Sequence, residues 1–407
     1  TLNDTKLRLF KTKTFNSDNA RYSLSDPIYV DPTEVDFSGD TKYYFQSESI
    51  YYDQTNQKLA TTSGSGDITI YQVTGATKTT GTTEWNGVSY DSITYNLSAT
   101  TLSETELETD KSDKGLYQGT DDYGTTYYYR GNVKNNIVQF AGYYWQIIRI
   151  NGDGTIRLLY NGTEKNASGV KQSINNRTYQ FNSKYNDPAY VGYMYGNPDA
   201  TIFAEVHTNT NDSSIKTTLD SWYNTNIEDK GYSSYISNAV GFCGDRSLPA
   251  SVWGTNNNGD GVNNTPRTSI FGAYARYVKN VAQFTCPEPS RDLYTTADSS
   301  IGNKALTYPV GLITYDELVF AGMDQRHINK LSWAYSTQYY WTMSPSYFDA
   351  SDGAANEWYL SSAGCLYPWT WVTGSYGARP VINLKSDVKI SGGIGTSNDP
   401  FIIDTNK

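Results

Sequence analysis

Aromatic side chains dominate what this chain can use as a core. Leu, Ile, Val and Phe supply only 77 of 407 residues, whereas Tyr alone supplies 37 and Trp another 9. An aliphatic share near one-fifth borders on the composition of disordered chains. Tyr and Trp point the other way, because each buries a large, stiff apolar surface while keeping one polar tip. The expectation is a folded chain with an aromatic core and an aromatic skin. Its length suits two or three domains.

Charge narrows the partners. Asp and Glu number 42 against 32 Lys and Arg, for a net charge of −10. An acidic surface repels phosphate backbones, so nucleic acid and anionic membranes are poor partners. No apolar run approaches the roughly 18 residues of a transmembrane span. The chain opens at Thr1 rather than Met, which leaves room for a removed leader or anchor. Abundant Tyr, Asn, Thr, Ser and Gly with few charges points to an extracellular or cell-surface setting. Cys243, Cys286 and Cys365 form no C-x-x-C pair. They read either as three free thiols or as one Cys243–Cys286 bridge with Cys365 left over, and a bridge would agree with an oxidising compartment.

Along the chain, alternation in Lys6–Lys11 predicts a leading strand with Leu7 and Leu9 on one face. Short β-rich runs follow at 43–45, 49–52, 68–71 and 89–97, spaced by turn residues as in a sandwich. The polar, acidic stretch 103–113 reads as a linker or a short solvated helix, with the linker favoured. The predicted organisation is a β-sandwich-like domain over 1–110 and a second domain over 113–407. The run 137–150 leads into Asn151-Gly152-Asp153-Gly154 and out through 155–160. Asn-Gly and Asp-Gly supply the positive φ that tight hairpins need. Two helices are predicted. One is capped by Ser213-Ser214, with Ile215, Leu219, Trp222 and Tyr223 on one face; the other starts at the capping-box sequence Thr314–Glu317. Residues 224–300 read as irregular, and strands return near 339–344, 358–360, 381–384 and 401–403. The fold class is therefore α+β and strand-rich.

Catalytic signatures are scarce. His207 and His327 sit in unrelated contexts, and no zinc, P-loop, nucleophile-elbow or dinucleotide motif occurs. Asp324, Asp349, Asp352 and Glu357 are the acids nearest the aromatic C-terminal region, and paired carboxylates carry no local signature. The run 256–261, with Asn256, Asn258 and Asp260, resembles a calcium loop, but its twelfth position holds Arg267 where an EF-hand wants Glu. A turn is favoured over an irregular Ca²⁺ site, and no cofactor is expected. The N-x-S/T triplets, among them Asn96-Leu97-Ser98, carry little weight in a chain so rich in these residues.

The most informative stretch runs from Trp341 to Leu384. Trp341, Trp358 and Tyr359 lie on strand-like runs and are expected in the core. Tyr367, Trp369, Trp371 and Tyr376 are interrupted by Pro368 and Gly374, and are expected on an exposed loop. Tyr and Trp among Ser, Gly and Asn is the chemistry of a binding surface. The expected ligand contacts are these four rings together with Tyr347 and Asn356.

The segments Trp341-Thr342-Met343-Ser344-Pro345 and Gly377-Ala378-Arg379-Pro380-Val381-Ile382 flank that loop. Their conjunction resembles the end of a C-type-lectin-like domain, of the variety found in formylglycine-generating enzymes and retroelement-diversified variable proteins. Together with 138–161 and 311–317 they also resemble surface proteins of low-GC Gram-positive gut bacteria. The resemblance covers about 113–407 and does not extend to residues 1–110. It implies that Arg379 is structural, held by a buried acid or by carbonyls, and that the aromatic loop faces the ligand. The lectin calcium motifs are missing, and only Cys365 lies in the region where the enzyme branch needs a reactive cysteine pair. The expected function is non-enzymatic binding of a host or cell-surface protein or glycan. The alternative is a subunit of an extracellular filament or pilus, self-associating by strand addition through the leading strand.

Overall fold

The computed structural model describes residues 7–16, 21–46, 50–53, 58–61, 70–85, 87–101, 115–252, 258–263, 267–325 and 327–405. It is strand-rich, with 35% strand and 17% helix. The chain divides into two compact units; their described residues end at Thr101 in the first and begin at Gly115 in the second. The stretch 102–114, expected to be a linker, lies outside the described residues.

The first unit contains β1 (Leu7–Asn16), β2 (Arg21–Val30), β3 (Tyr43–Gln46), β4 (Ile50–Asp53), β5 (Lys58–Thr61), β6 (Ile70–Trp85) and β7 (Val88–Thr101). Five of these form one antiparallel sheet in the order β2-β1-β3-β6-β7, while β4 and β5 pair separately. Among the described residues this is one sheet and one hairpin, not the two sheets of the expected sandwich. Leu9, Phe10, Tyr44 and Val73 are buried where β1, β3 and β6 run side by side. The leading strand is an inner strand: β1 pairs with β2 from Leu7↔Val30 to Asn16↔Arg21, and with β3 at Phe10↔Tyr44. The outer strands are β2 and β7. Beyond Val73, β6 has β7 as its one strand partner among the described residues, in register from Gly75↔Ser98 to Trp85↔Val88. Residues 77–82 are exposed on both faces of this two-stranded ribbon.

The second unit opens with β8 (Gly115–Asp121), β9 (Gly124–Arg130), β10 (Ile137–Phe140), β11 (Tyr143–Ile150) and β12 (Ile156–Tyr160). They build an eight-stranded sheet with the late strands Val381–Leu384, Ile390–Gly392 and Phe401–Ile403. The β11–β12 hairpin forms where the turn residues placed it, closed by Asn151 N–H donating to the Thr155 carbonyl at 2.8 Å. The run 137–150 is itself two strands, folded at Ala141 (φ 53°) and Gly142 (φ 81°). A six-stranded sheet is centred on Tyr340–Asp349 and Ala354–Leu360. Trp145, Trp341 and Trp358 are fully buried in the common core.

Both expected helices are present. Ser213 Oγ caps Ser214–Tyr223 by accepting from Lys216 N–H, and the four expected apolar residues are buried. Tyr315–Phe320 carries the Thr314/Glu317 capping box. The stretch read as irregular holds more order than expected. It contains a helix at Gly272–Lys279 and a short pairing of Phe242–Cys243 with Leu293–Tyr294. Cys243 and Cys286 are joined in a disulfide, and Cys365 is a buried free thiol.

Candidate binding face

The face is set by one strand and what lies along it. Residues 369–372 run extended beside Ala354–Leu360: Glu357 N–H donates to the Thr370 carbonyl, and Val372 N–H to the Ala355 carbonyl. Side chains alternate across an extended segment. Thr370 and Val372 therefore turn inward and are buried, while Trp369 is 56% and Trp371 45% exposed. Trp371 stacks on Tyr185 at 5.0 Å and 12°. Tyr185 is fixed by its own backbone, whose carbonyl accepts from Ala355 N–H at 2.7 Å. Trp369 hydrogen-bonds with Tyr274, a contact that opposes the rise burial causes in the Tyr274 hydroxyl pKa.

Beside the tryptophans stands a row of tyrosines. Tyr367 stacks on Tyr359 at 5.8 Å and 19°, and Tyr359 on Tyr376 at 4.9 Å and 19°. Tyr339 leans on both Tyr359 and Tyr376. Rings stacked in this way cover one another's faces and leave edges and hydroxyls for solvent. The Tyr376 hydroxyl is held 2.8 Å from Thr370 Oγ1. Burial is the main cause that raises the Tyr359 pKa, with the neighbouring Tyr376 and Tyr339 adding to it. For Tyr367 the hydrogen bond with Cys365 comes first.

Of the expected contacts, Trp369 and Trp371 are exposed, and Tyr347, Tyr367 and Tyr376 are half-buried. Tyr347 packs edge-on against Tyr274 at 5.9 Å. Asn356 departs from expectation. It is 2% exposed, its amide donates to the Ala354 carbonyl, and its backbone bridges Trp371. Asn356 supports the face from below and does not line it. Tyr359 departs too, as a half-buried member of the tyrosine row and not a core ring. Sequence reasoning missed Tyr185, Tyr274 and Tyr339, which come from distant segments.

Trp341 is fully buried, its indole N–H donating to the Tyr179 carbonyl at 2.7 Å. Arg379 is held by carbonyl-type oxygens: Nε donates to the Tyr160 backbone at 2.9 Å, and Nη2 to Gln146 Oε1 at 2.7 Å and Asn161 Oδ1 at 3.1 Å. No carboxylate pairs with it among the described residues. His207 is buried against the Gly261 carbonyl, and burial holds its imidazole neutral, with Arg246 acting in the same direction. His327 pairs with Asp324 at 3.0 Å. Asp349 is engaged by Ser351. Glu357 is fully enclosed with neither carboxyl oxygen bonded, and burial raises its pKa well above the ordinary range.

Of the calcium-like run, Asn256 lies outside the described residues. Asn258 binds the Pro249 carbonyl and both backbone groups of Ile270, and Asp260 is exposed. Among the described residues no three His, Cys, Asp or Glu side chains gather as metal ligands. Comparison with protein-family models, with curated proteins and with solved structures finds no match to this chain.

Proposed function

We propose that this chain is a non-enzymatic binding protein that acts outside the cell or at its surface through the Trp369–Trp371 face. The supporting observation is that two tryptophans stay about half exposed while the alternating Thr370 and Val372 are buried. Water-exposed indoles on a rigid support contribute to binding without first being ordered. Trp and Tyr are also the residues that carry most energy in interfaces. The reading includes a C-type-lectin-like architecture for the second unit and a host or cell-surface protein or glycan as ligand. The disulfide favours an oxidising compartment. Binding of the purified protein to host cells and to arrayed glycans tests the reading. Trp369→Ala and Trp371→Ala should each cost about 2 kcal/mol of affinity while the melting temperature holds. Unchanged binding in both variants would end it.

A second reading, a subunit of an extracellular filament, draws on the β6–β7 ribbon. Both of its edges are unpaired beyond Val73 among the described residues, and unpaired edges template strand addition. The inner position of β1 moves this route from the leading strand to the ribbon. Joining Lys78 to Tyr95 through an Asn-Gly turn, with 79–94 removed, should abolish filaments seen by negative stain. Filaments that persist would exclude the ribbon.

A further inference from the structure

Away from the aromatic face, a cavity of about 230 Å³ opens between β10, β11 and the loops at 161–172 and 330–333. Its lining is unusual for a chain of net charge −10. It holds two lysines, Lys134 and Lys330, and the amides of Asn136, Gln146, Asn161 and Gln172, with no Asp or Glu. Both lysines are exposed and have no ion-pair partner among the described residues. Directly behind the lining sits Arg379, which donates from Nη2 to Gln146 and Asn161 and leaves a buried Nη1 without a hydrogen-bond partner. Two acids lie two residues from the lining: Glu164, paired with Lys171 at 2.6 Å, and Asp399, which is exposed.

Charge and hydrogen bonding decide what fits. Three cations with no ion-pair partner among the described residues produce a positive potential, which a low-dielectric wall strengthens. Asn161 Oδ1 is already satisfied by Gln172 and Arg379, so the Asn161 carboxamide presents its N–H₂ outward. Gln146 is fixed from both sides, donating one N–H to the Trp333 carbonyl and accepting from Arg379, which leaves its second N–H and a lone pair. Charged donors on the two lysines thus share one cavity with amides that keep both N–H groups and carbonyl oxygens for a ligand. We propose that this cavity binds an anionic sugar, its carboxylate or phosphate held by Lys134 and Lys330 in the field of Arg379, its hydroxyls by the amides. The site is separate from the aromatic face and stands or falls without it.

Titration calorimetry of the full chain at low salt tests this with glucuronate, glucose 6-phosphate, glucose and inorganic phosphate. Either sugar anion should bind at least about tenfold more tightly than glucose, and whichever binds better identifies the anionic group. Lys134→Gln with Lys330→Gln should weaken that binding about tenfold and flatten its salt dependence, with the melting temperature unchanged. Trp369→Ala should leave it intact. Arg379→Lys would add the buried contribution, and the exposed lysine pair keeps the test valid if that variant fails to fold. The proposal is overturned if neither sugar anion binds, if glucose or free phosphate binds as well as they do, or if the double lysine variant binds normally.

Discussion

Glu357 shows what a single residue can be asked to carry. A carboxyl with both oxygens buried and unbonded is stable only in its protonated form. Its pKa is raised on folding, so its contribution is complete below the unfolded value near 4.5 and is lost as pH rises. Glu357→Gln should therefore remove a slope of about 1.4 kcal/mol per pH unit above that point, until the folded-state pKa is passed. Thermal melts of both proteins across that range check it; parallel curves would show that Glu357 has found a partner. The tryptophans give a second contrast at this scale. Trp358→Ala, in the core, should cost about 3–5 kcal/mol of stability. Trp369→Ala, about half exposed, should cost far less. Denaturant unfolding of the two variants measures the difference.

At the scale of elements, the disulfide is the clearest lever. Cys243 and Cys286 close a loop across 43 residues, and loop-closure entropy assigns such a bridge roughly 4 kcal/mol. The bridged segment also lies over buried ion pairs. Phe284 stacks on Phe320 and sits against Arg149, while Asp122 accepts from Cys286 N–H. Reduction should lower the melting temperature and unlock this segment first, seen as faster amide exchange over 281–288 than in the β11–β12 hairpin. Local chemistry also explains which elements could be read in advance. Asn-Gly and Asp-Gly announce the β11–β12 turn, and Ser213 announces its helix. The Ala141-Gly142 turn stayed hidden because Ala at φ 53° is uncommon. The Gly272–Lys279 helix stayed hidden because Phe271 offers no capping side chain. Pro368 and Gly374 made the exposure of Trp369 and Trp371 legible. Tyr185 and Tyr339 join them through long-range backbone hydrogen bonds from Ala355 and Gly377, which have no local signal.

At the scale of the molecule, the two units differ in how they are held. The second has a large aromatic core with buried ion pairs, such as Arg246–Asp292 at 2.8 Å with both side chains sealed from solvent. Among its described residues the first buries a cluster of Leu9, Phe10, Tyr44 and Val73 and carries an ion pair between Lys78 and Asp31 at 2.7 Å. A two-stranded ribbon without a packed face is marginal in water on its own. Limited proteolysis should therefore cut the β6–β7 ribbon well before any part of the second unit. Protection of the ribbon at high protein concentration alone would indicate self-association.

The tyrosine row has a consequence for how such a surface can diversify. Tyr359, Tyr367 and Tyr376 brace one another across separate strands, so a change in any one disturbs its neighbours. Trp369 and Trp371 hang outboard of that bracing, where most replacements leave the scaffold's stability nearly untouched. On the binding role proposed above, a lineage carrying this fold could retune its ligand at those two positions again and again, and never reopen the question of whether the protein folds.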